Sequence, residues 1–265
     1  MLALMTFGLQ SCEPQETDEV EVCFTTTLPT GNRTKSFGDA EQVNTLVVGV
    51  YNEQKQHLFT ENFVIDNHSS LNIELTLVKD QIYNFIFWAY HKNNTNNEIY
   101  DISSLTAIKM NAIPESVTFS MVETMDAFFA TRQDVEINGA SNYSVQLTRP
   151  LAQINVGTTG DVQQASFTAK SAFDIFYPFE NTVGKTAEGG TDFIWNFSET
   201  TAEILSVEDT EYTYLAMVYL FAPSEPAQIN AELKLTNTET PFVFDKVSIQ
   251  ANRRSNILGN FTGSN

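Results

Sequence analysis

The sequence predicts an all-β fold made of two tandem β-sandwich domains with about seven strands in each. Its composition favours strands, because Phe, Tyr, Val, Ile and Thr are frequent and short clusters of Asn, Asp, Gly and Ser interrupt them. No window has the sustained 3.6-residue period of a long helix. The 265 residues suffice for two ordinary domains, and the 42% hydrophobic content suffices for their cores.

The charge and the motifs exclude several classes of function. With 14 Lys and Arg against 33 Asp and Glu, the formal charge is −19, so nucleic acid is not expected as a partner. The histidines His57, His68 and His91 are scattered, and none has a second ligand at metal-binding spacing. Nucleophile elbows and phosphate-binding loops are absent from the sequence. We therefore predict no catalytic residues, no metal site and no cofactor.

The start of the chain has the features of a processing signal. An apolar run, Met1–Leu9, is too short to span a membrane and ends at Cys12. Leu9-Gln10-Ser11-Cys12 resembles the lipobox of bacterial lipoproteins, which implies a signal peptide over residues 1–12, lipidation of Cys12 and anchoring at the outer membrane. No basic residue precedes the run, so the true start is expected upstream; a buried first element with an ordinary cysteine is the alternative. Residues 13–19 are predicted to be an acidic tether.

Strand patterns then follow along both halves of the chain. In the first predicted strand, Val20–Leu28, the apolar residues Val20, Val22, Phe24 and Leu28 alternate with polar ones. The N-terminal domain is predicted to cover residues 20–148 and the C-terminal domain residues 149–265, because the pattern breaks and restarts around Arg149-Pro150. Further strands of the first domain are predicted at Leu46–Tyr51, Phe59–Ile65, Leu71–Val78, Ile82–Tyr90, Val117–Met121, Ala127–Thr131 and Tyr143–Leu147, with a turn or two of helix within Ile102–Met110. Those of the second are predicted at Leu151–Val156, Ala165–Ala169, Phe173–Phe176, Phe193–Phe197, Tyr212–Phe221, Ile229–Leu235, Phe242–Ile249 and Asn256–Phe261.

One group of aromatic residues has two interpretations. Trp88, Tyr90 and Tyr100 near an Asn-rich loop could form an exposed platform for a sugar. The continuous apolar run of Phe85–Tyr90 is, however, typical of a strand buried on both faces, and we prefer that interpretation.

Several segments together resemble the fimbrillin-like lipoproteins of Bacteroidales, which are subunits and accessory or anchor proteins of type V pili. The resembling segments are Thr34–Asp39 followed by Leu46–Tyr51, Met125–Phe129, Leu147–Ala152, Tyr214–Leu220 and Arg253–Asn260. The resemblance implies two transthyretin-like sandwiches, a fimbrial or adhesive role at the cell surface, and other fimbrial subunits or copies of itself as partners.

The resemblance also implies a mechanism of assembly. In polymerising members of that family a trypsin-like protease cuts after a basic residue beyond the first strand, which leaves and is replaced by a neighbour's strand. Here Arg33 and Lys35 follow the predicted strand Val20–Leu28 in a polar loop, where a protease could reach them; the alternative is that they are two ordinary solvated loop charges. Anchor and accessory members keep the first strand and the lipid, so the sequence leaves shaft, tip and anchor roles open. The alternative is a surface lipoprotein that binds glycans, with a host or glycan ligand as its partner.

Overall fold

The computed structural model describes residues 18–29, 40–66, 70–93 and 98–261, and it confirms the predicted all-β fold. The strands are β1 (Glu19–Thr27), β2 (Thr45–Asn52), β3 (His57–Val64), β4 (Leu71–Val78), β5 (Gln81–Tyr90), β6 (Tyr100–Asp101), β7 (Ile108–Met110), β8 (Ala127–Ile137), β9 (Ser141–Gln146), β10 (Leu151–Thr158), β11 (Ala165–Ala172), β12 (Ile175–Tyr177), β13 (Thr182–Gly184), β14 (Thr191–Asn196), β15 (Ile204–Val207), β16 (Thr210–Phe221), β17 (Ala227–Leu235), β18 (Phe242–Ile249) and β19 (Arg254–Gly259). A short helix, α1 (Phe119–Glu123), precedes β8. Within the described residues, no helix has the length and apolar character needed to cross a membrane.

Two facing sheets enclose the hydrophobic core of the first half. One has the strand order β4-β1-β9 and the other has the order β3-β2-β5-β8. Alternating residues of each strand point into the space between them, as expected for a sandwich. In β1 and β4, for example, Val22, Phe24, Ile73 and Leu75 are buried while their neighbours face outward.

The second half repeats the same strand arrangement. Its first strand, β10, lies between an antiparallel partner, β16, and a parallel partner, β19, just as β1 lies between β4 and β9. The other sheet has the order β14-β11-β17-β18, which corresponds to β3-β2-β5-β8. This repetition supports the division into residues 20–148 and 149–265, which stays a prediction.

A small sheet joins strands from both halves. Its order is β13-β12-β7-β6, so the segment that leaves β5 pairs with the segment that follows β11. The residues predicted to hold helical turns, Ile102–Met110, instead end in strand β7, whose Ile108 and Met110 are buried against this sheet. The prediction of helical turns was wrong because Ile108 and Met110 pack in a sheet whose partner strand, β12, lies far away in the sequence.

The prediction of a strand at Val117–Met121 was also wrong. Val117 forms a single bridge to Phe197, after which Thr118 caps the helix α1 by accepting a hydrogen bond from the Met121 backbone N–H. Phe119 and Val122 are buried, and their spacing of three residues places them on one helix face.

Candidate functional site

The predicted first strand lies in the middle of a sheet. Eight residues of β1, from Glu19 to Thr26, are paired with the antiparallel strand β4. Six residues, from Val22 to Thr27, are paired with the parallel strand β9. β9 has no other partner in this sheet, so β1 is the strand that joins β4 to β9. We call the position that β1 occupies between β4 and β9 the first-strand groove.

The buried face of β1 fills this groove with apolar side chains. Val22 and Phe24 are fully buried, and Val20 at the start of the strand is half-buried. The Phe24 ring centroid lies 4.8 Å from that of Phe85 and 5.3 Å from that of Tyr143. Phe24 therefore contacts both the facing sheet and the neighbouring strand β9 and is the central side chain of the groove.

Beyond the end of β1 the chain stays in contact with the core. Leu28 is 8% exposed, and it lines a small apolar pocket together with Leu46, Ile65 and Leu147. The backbone N–H of Leu147 donates to the carbonyl of Thr27 at 2.9 Å. The structure thus brings Val22, Phe24 and Leu28 into one core, as the sequence predicted.

Three of the residues singled out in the sequence lie outside the described part of the chain. They are the lipidation residue Cys12 and the processing residues Arg33 and Lys35. Description stops at Pro29 and resumes at Ala40, so both basic residues belong to the segment between β1 and β2.

The outer face of β1 is polar and carries a free thiol. Cys23 Sγ lies 3.7 Å from a carboxylate oxygen of Glu74 on β4, and Glu21 lies beside both. Desolvation and the nearby Glu74 raise the pKa of the Cys23 thiol. The thiol is therefore predominantly protonated at neutral pH.

The counterpart strand of the second half is held differently. All residues of β10 are buried, whereas β1 has an exposed outer face. Gln153 and Asn155 of β10 are hydrogen-bonded to each other, and Asn155 also donates to Asn256 on β19. β10 is also connected to described strands at both ends, so it cannot leave the sheet without unfolding the surrounding structure.

The aromatic residues considered as a sugar platform are buried. Trp88 is 0% exposed, and Tyr90 and Tyr100 are each 3% exposed. Trp88 and Tyr90 lie on β5, whose two faces contact two cores, with Phe85 and Phe87 on one side and Trp88 on the other; Tyr100 lies on β6. The preferred interpretation of a doubly buried strand is confirmed.

The residues that complete the groove were not identifiable from the sequence. Tyr143 on β9 stacks on Phe24, although 119 positions of sequence separate residues 24 and 143. Only its place in an alternating run gave any signal, and that signal does not say which strand it faces.

Comparison with known proteins identifies one family model that matches most of the chain. The model of one protein family, described as a family of unknown function (DUF6562), matches residues 14–265. The sequence matches none of the curated proteins.

Solved structures share the fold at low sequence identity. A candidate adhesin from Bacteroides ovatus has a TM-score of 0.57 and 13% identity, with 92% of each chain covered. A candidate polysaccharide-binding protein from Bacteroides thetaiotaomicron has a TM-score of 0.55 and 13% identity, with 90% of each chain covered. The fimbrial anchor protein Mfa2 from Porphyromonas gingivalis has a TM-score of 0.51 and 14% identity, covering 85% of this chain and 82% of that one. The resemblance to fimbrial proteins of Bacteroidales is confirmed at the level of the fold.

Proposed function

This chain belongs to the family of unknown function DUF6562, and from that premise we propose that it is a structural fimbrial protein of the cell surface that assembles by strand exchange. The observation that carries the proposal is the central position of β1 between β4 and β9. We propose no catalytic step, and the partners are other fimbrial subunits or further copies of this chain.

The backbone of the first-strand groove supports exchange. Neighbouring strands lie about 4.8 Å apart, so removal of β1 would leave a gap of about 10 Å between β4 and β9. Each of those strands would then present unpaired N–H and C=O groups. A strand from another molecule would satisfy both edges at once, which is recognition by β-strand addition.

The side chains of the groove give exchange a large driving force. Burying Val22, Phe24 and Leu28 contributes about 1.5 to 3 kcal/mol each, or about 5 to 9 kcal/mol together before ordering costs. An incoming strand with apolar residues at the same alternate positions would gain a comparable amount. The resulting contact between subunits would be durable.

The order of the elements makes β1 separable by one cut. Every other described strand follows it in the chain, so hydrolysis between Thr27 and Thr45 breaks its covalent connection to all of them. Arg33 and Lys35 lie in that interval and supply the trypsin-type cleavage sites.

The lipid anchor is part of the same proposal. A lipid on Cys12 would place the protein at the outer membrane, with residues 13–19 as the tether to β1. A copy that keeps β1 would stay attached and serve as an anchor, whereas a cut copy would lose the lipid together with β1. Processing would thereby decide between an anchored subunit and a fibre subunit.

Limited trypsin digestion followed by peptide exchange tests the proposal. Purified protein is cut at low trypsin concentration, and the cut site is read by mass spectrometry. A fluorescent peptide with the sequence of residues 19–28 is then added, and its uptake is followed by anisotropy. We expect cleavage at Arg33 or Lys35, followed by stable uptake of the peptide.

Two controls make the outcome decisive. The uncut R33Q/K35Q variant should take up no peptide, and a peptide carrying Phe24→Ala should bind far more weakly than the parent peptide. Cut protein that releases β1 without taking up the peptide would contradict strand exchange. Uptake of the Phe24→Ala peptide as strongly as the parent peptide would contradict the groove as the binding site.

A further inference from the structure

A cleft lies beside the hairpin of β2 and β3, and none of the residues that line it belongs to β1. It is formed by the hairpin of β2 and β3 and by the segment Ile102–Thr106 before β7, and its volume is about 420 Å3. Clefts that bind small molecules have volumes of about 300 to 1,000 Å3. The size of the cleft is therefore sufficient for a sugar ring.

The walls of the cleft combine hydroxyl groups with apolar surface. Thr60 Oγ1 lies 2.8 Å from His57 Nε2, and Ser104 Oγ lies 2.9 Å from Thr106 Oγ1. Ile102 and Leu105 supply apolar patches between them. Sugars present both hydroxyl groups and C–H faces, so this mixture suits them.

A buried tyrosine offers an unused hydroxyl to the cleft. Tyr51 is 3% exposed, and none of the described residues forms a hydrogen bond with its hydroxyl group. The ring is held by Phe179, whose centroid is 5.2 Å away, and it leans across Gly49, where a Cβ would lie 2.9 Å from it. Burial raises the pKa of Tyr51 to about 12, so the group remains a neutral donor. Because the Tyr51 hydroxyl borders the cleft, it can hydrogen-bond a ligand there in place of water.

A lysine without a carboxylate partner stands at the same cleft. Among the described residues, Lys55 forms no salt bridge although the chain has 33 acidic residues, and its ammonium lies 4.8 Å from the centroid of the Phe179 ring. None of the described residues that line the cleft is acidic. An anionic group on a ligand could therefore contact Lys55 without a lining carboxylate to compete for the ammonium.

The backbone of Lys55 is fixed by the turn between β2 and β3. Lys55 has a φ of 58°, a left-handed conformation that glycine adopts freely and that costs other residues energy. Its backbone N–H closes the turn by donating to the carbonyl of Asn52 at 2.9 Å.

We propose that this cleft binds a sugar that carries a carboxylate, with Lys55 contacting the carboxylate and Tyr51 and the hydroxyls of Ser104 and Thr106 contacting the ring hydroxyls. The site is separate from the first-strand groove. Strand exchange and sugar binding therefore stand or fall independently.

Titration followed by amide chemical shifts in NMR tests the proposal, with glucuronate as the probe. Glucose provides a sugar without the carboxylate, and acetate provides a carboxylate without the sugar. We expect glucuronate to shift amides of residues 51–60 and 102–106, and we expect both control compounds to bind at least tenfold more weakly. Tyr51→Phe and Lys55→Gly should each weaken glucuronate binding about tenfold, as expected for loss of one hydrogen bond to a charged or buried group.

The chain offers a matched control for the lysine. Lys246 on β18 is also exposed and left-handed, with a φ of 61°, so Lys246→Gly makes the same chemical change outside the cleft. Both glycine variants should keep or raise the melting temperature, because glycine adopts this conformation without strain, and Tyr51→Phe should not lower it. Absence of glucuronate shifts in the cleft overturns the proposal. Equal binding of acetate or of glucose, or equal affinities of Lys55→Gly and Lys246→Gly, overturns it as well.

Discussion

Replacement of Arg149 by leucine tests how the segment between the two halves is held. Arg149 donates to both carboxylate oxygens of Asp126, with Nε to Oδ1 and a terminal nitrogen to Oδ2 both at 2.7 Å. The side chains are 12% and 2% exposed. The guanidinium also lies 4.9 Å from the Phe128 ring centroid and 5.9 Å from that of Tyr219. Arg149 therefore connects β8 of the first half with β16 of the second.

The expected loss of stability follows from the burial of the pair. Removing one partner of a buried ion pair costs about 3 to 5 kcal/mol, because the other charge is left without compensation. That is a large part of the 5 to 15 kcal/mol typical of a folded protein. With a urea dependence of about 2 to 3 kcal/mol per M, the midpoint of unfolding should fall by about 1 to 2.5 M.

The two tryptophans provide reporters in one core, to which strands of both halves contribute. Trp88 and Trp195 are both fully buried, so their fluorescence should change when their surroundings unfold. Urea denaturation of Arg149→Leu would be followed in backgrounds carrying Trp88→Phe or Trp195→Phe. The matched control is Arg253→Leu, because Arg253 is exposed. Its free energy of unfolding should stay within about 0.5 kcal/mol of that of the parent.

The loss of stability in Arg149→Leu should also depend on pH. Burial raises the pKa of the Asp126 carboxyl, and the bonds from Arg149 oppose that rise. Without Arg149, the cost of the buried charge should appear as pH rises above about 3.9 and be complete above the folded-state pKa. The difference from the parent should therefore shrink on acidification. A free energy of unfolding within about 1 kcal/mol of the parent at pH 7, well below the smallest expected loss of about 3 kcal/mol, would refute the ion-pair argument. A loss that grows as pH falls would refute it as well.

Three more predictions concern single side chains. Phe24→Ala should cost about 3 to 5 kcal/mol in urea unfolding, because its ring is fully buried; a loss below about 1 kcal/mol would contradict the packing described for β1. At about pH 8, below the unperturbed thiol pKa of about 8.5, the Cys23 thiol should react slowly with iodoacetamide, because desolvation and Glu74 raise its pKa. The reaction should be faster in Glu74→Gln, and equal rates would exclude the carboxylate's influence. Hydrogen bonds from Thr186 and Thr191 lower the pKa of Asp174 against the opposing effect of burial, so Asp174→Asn should be less stable than the parent at pH 7. That difference should be lost as pH falls through the folded-state pKa, and a difference independent of pH would contradict it.

The strand pattern was predictable from local sequence because the side-chain period of a strand is a property of consecutive residues. Alternation in Val20–Leu28 predicted which side chains of β1 are buried, and the continuous apolar run of Phe85–Tyr90 predicted a strand buried on both faces. Local pattern was misleading where the partner is distant. Ile102–Met110 lies in a sheet with β12 of the other half, and Val117–Met121 is divided between a bridge and the helix α1.

Pairing between strands was decided only by the tertiary structure. Nothing in residues 20–28 indicates that β1 lies between β4 and β9, because hydrogen bonds between strands involve backbone groups that every residue shares. The cleft that contains Tyr51 and Lys55 also depends on a long-range contact. The hairpin of β2 and β3 forms it together with a segment about 50 residues further along the chain. Composition and periodicity thus determined the all-β class and the faces of the strands. The groove and the cleft depend on long-range contacts, whose partners are selected by the packing of the whole chain.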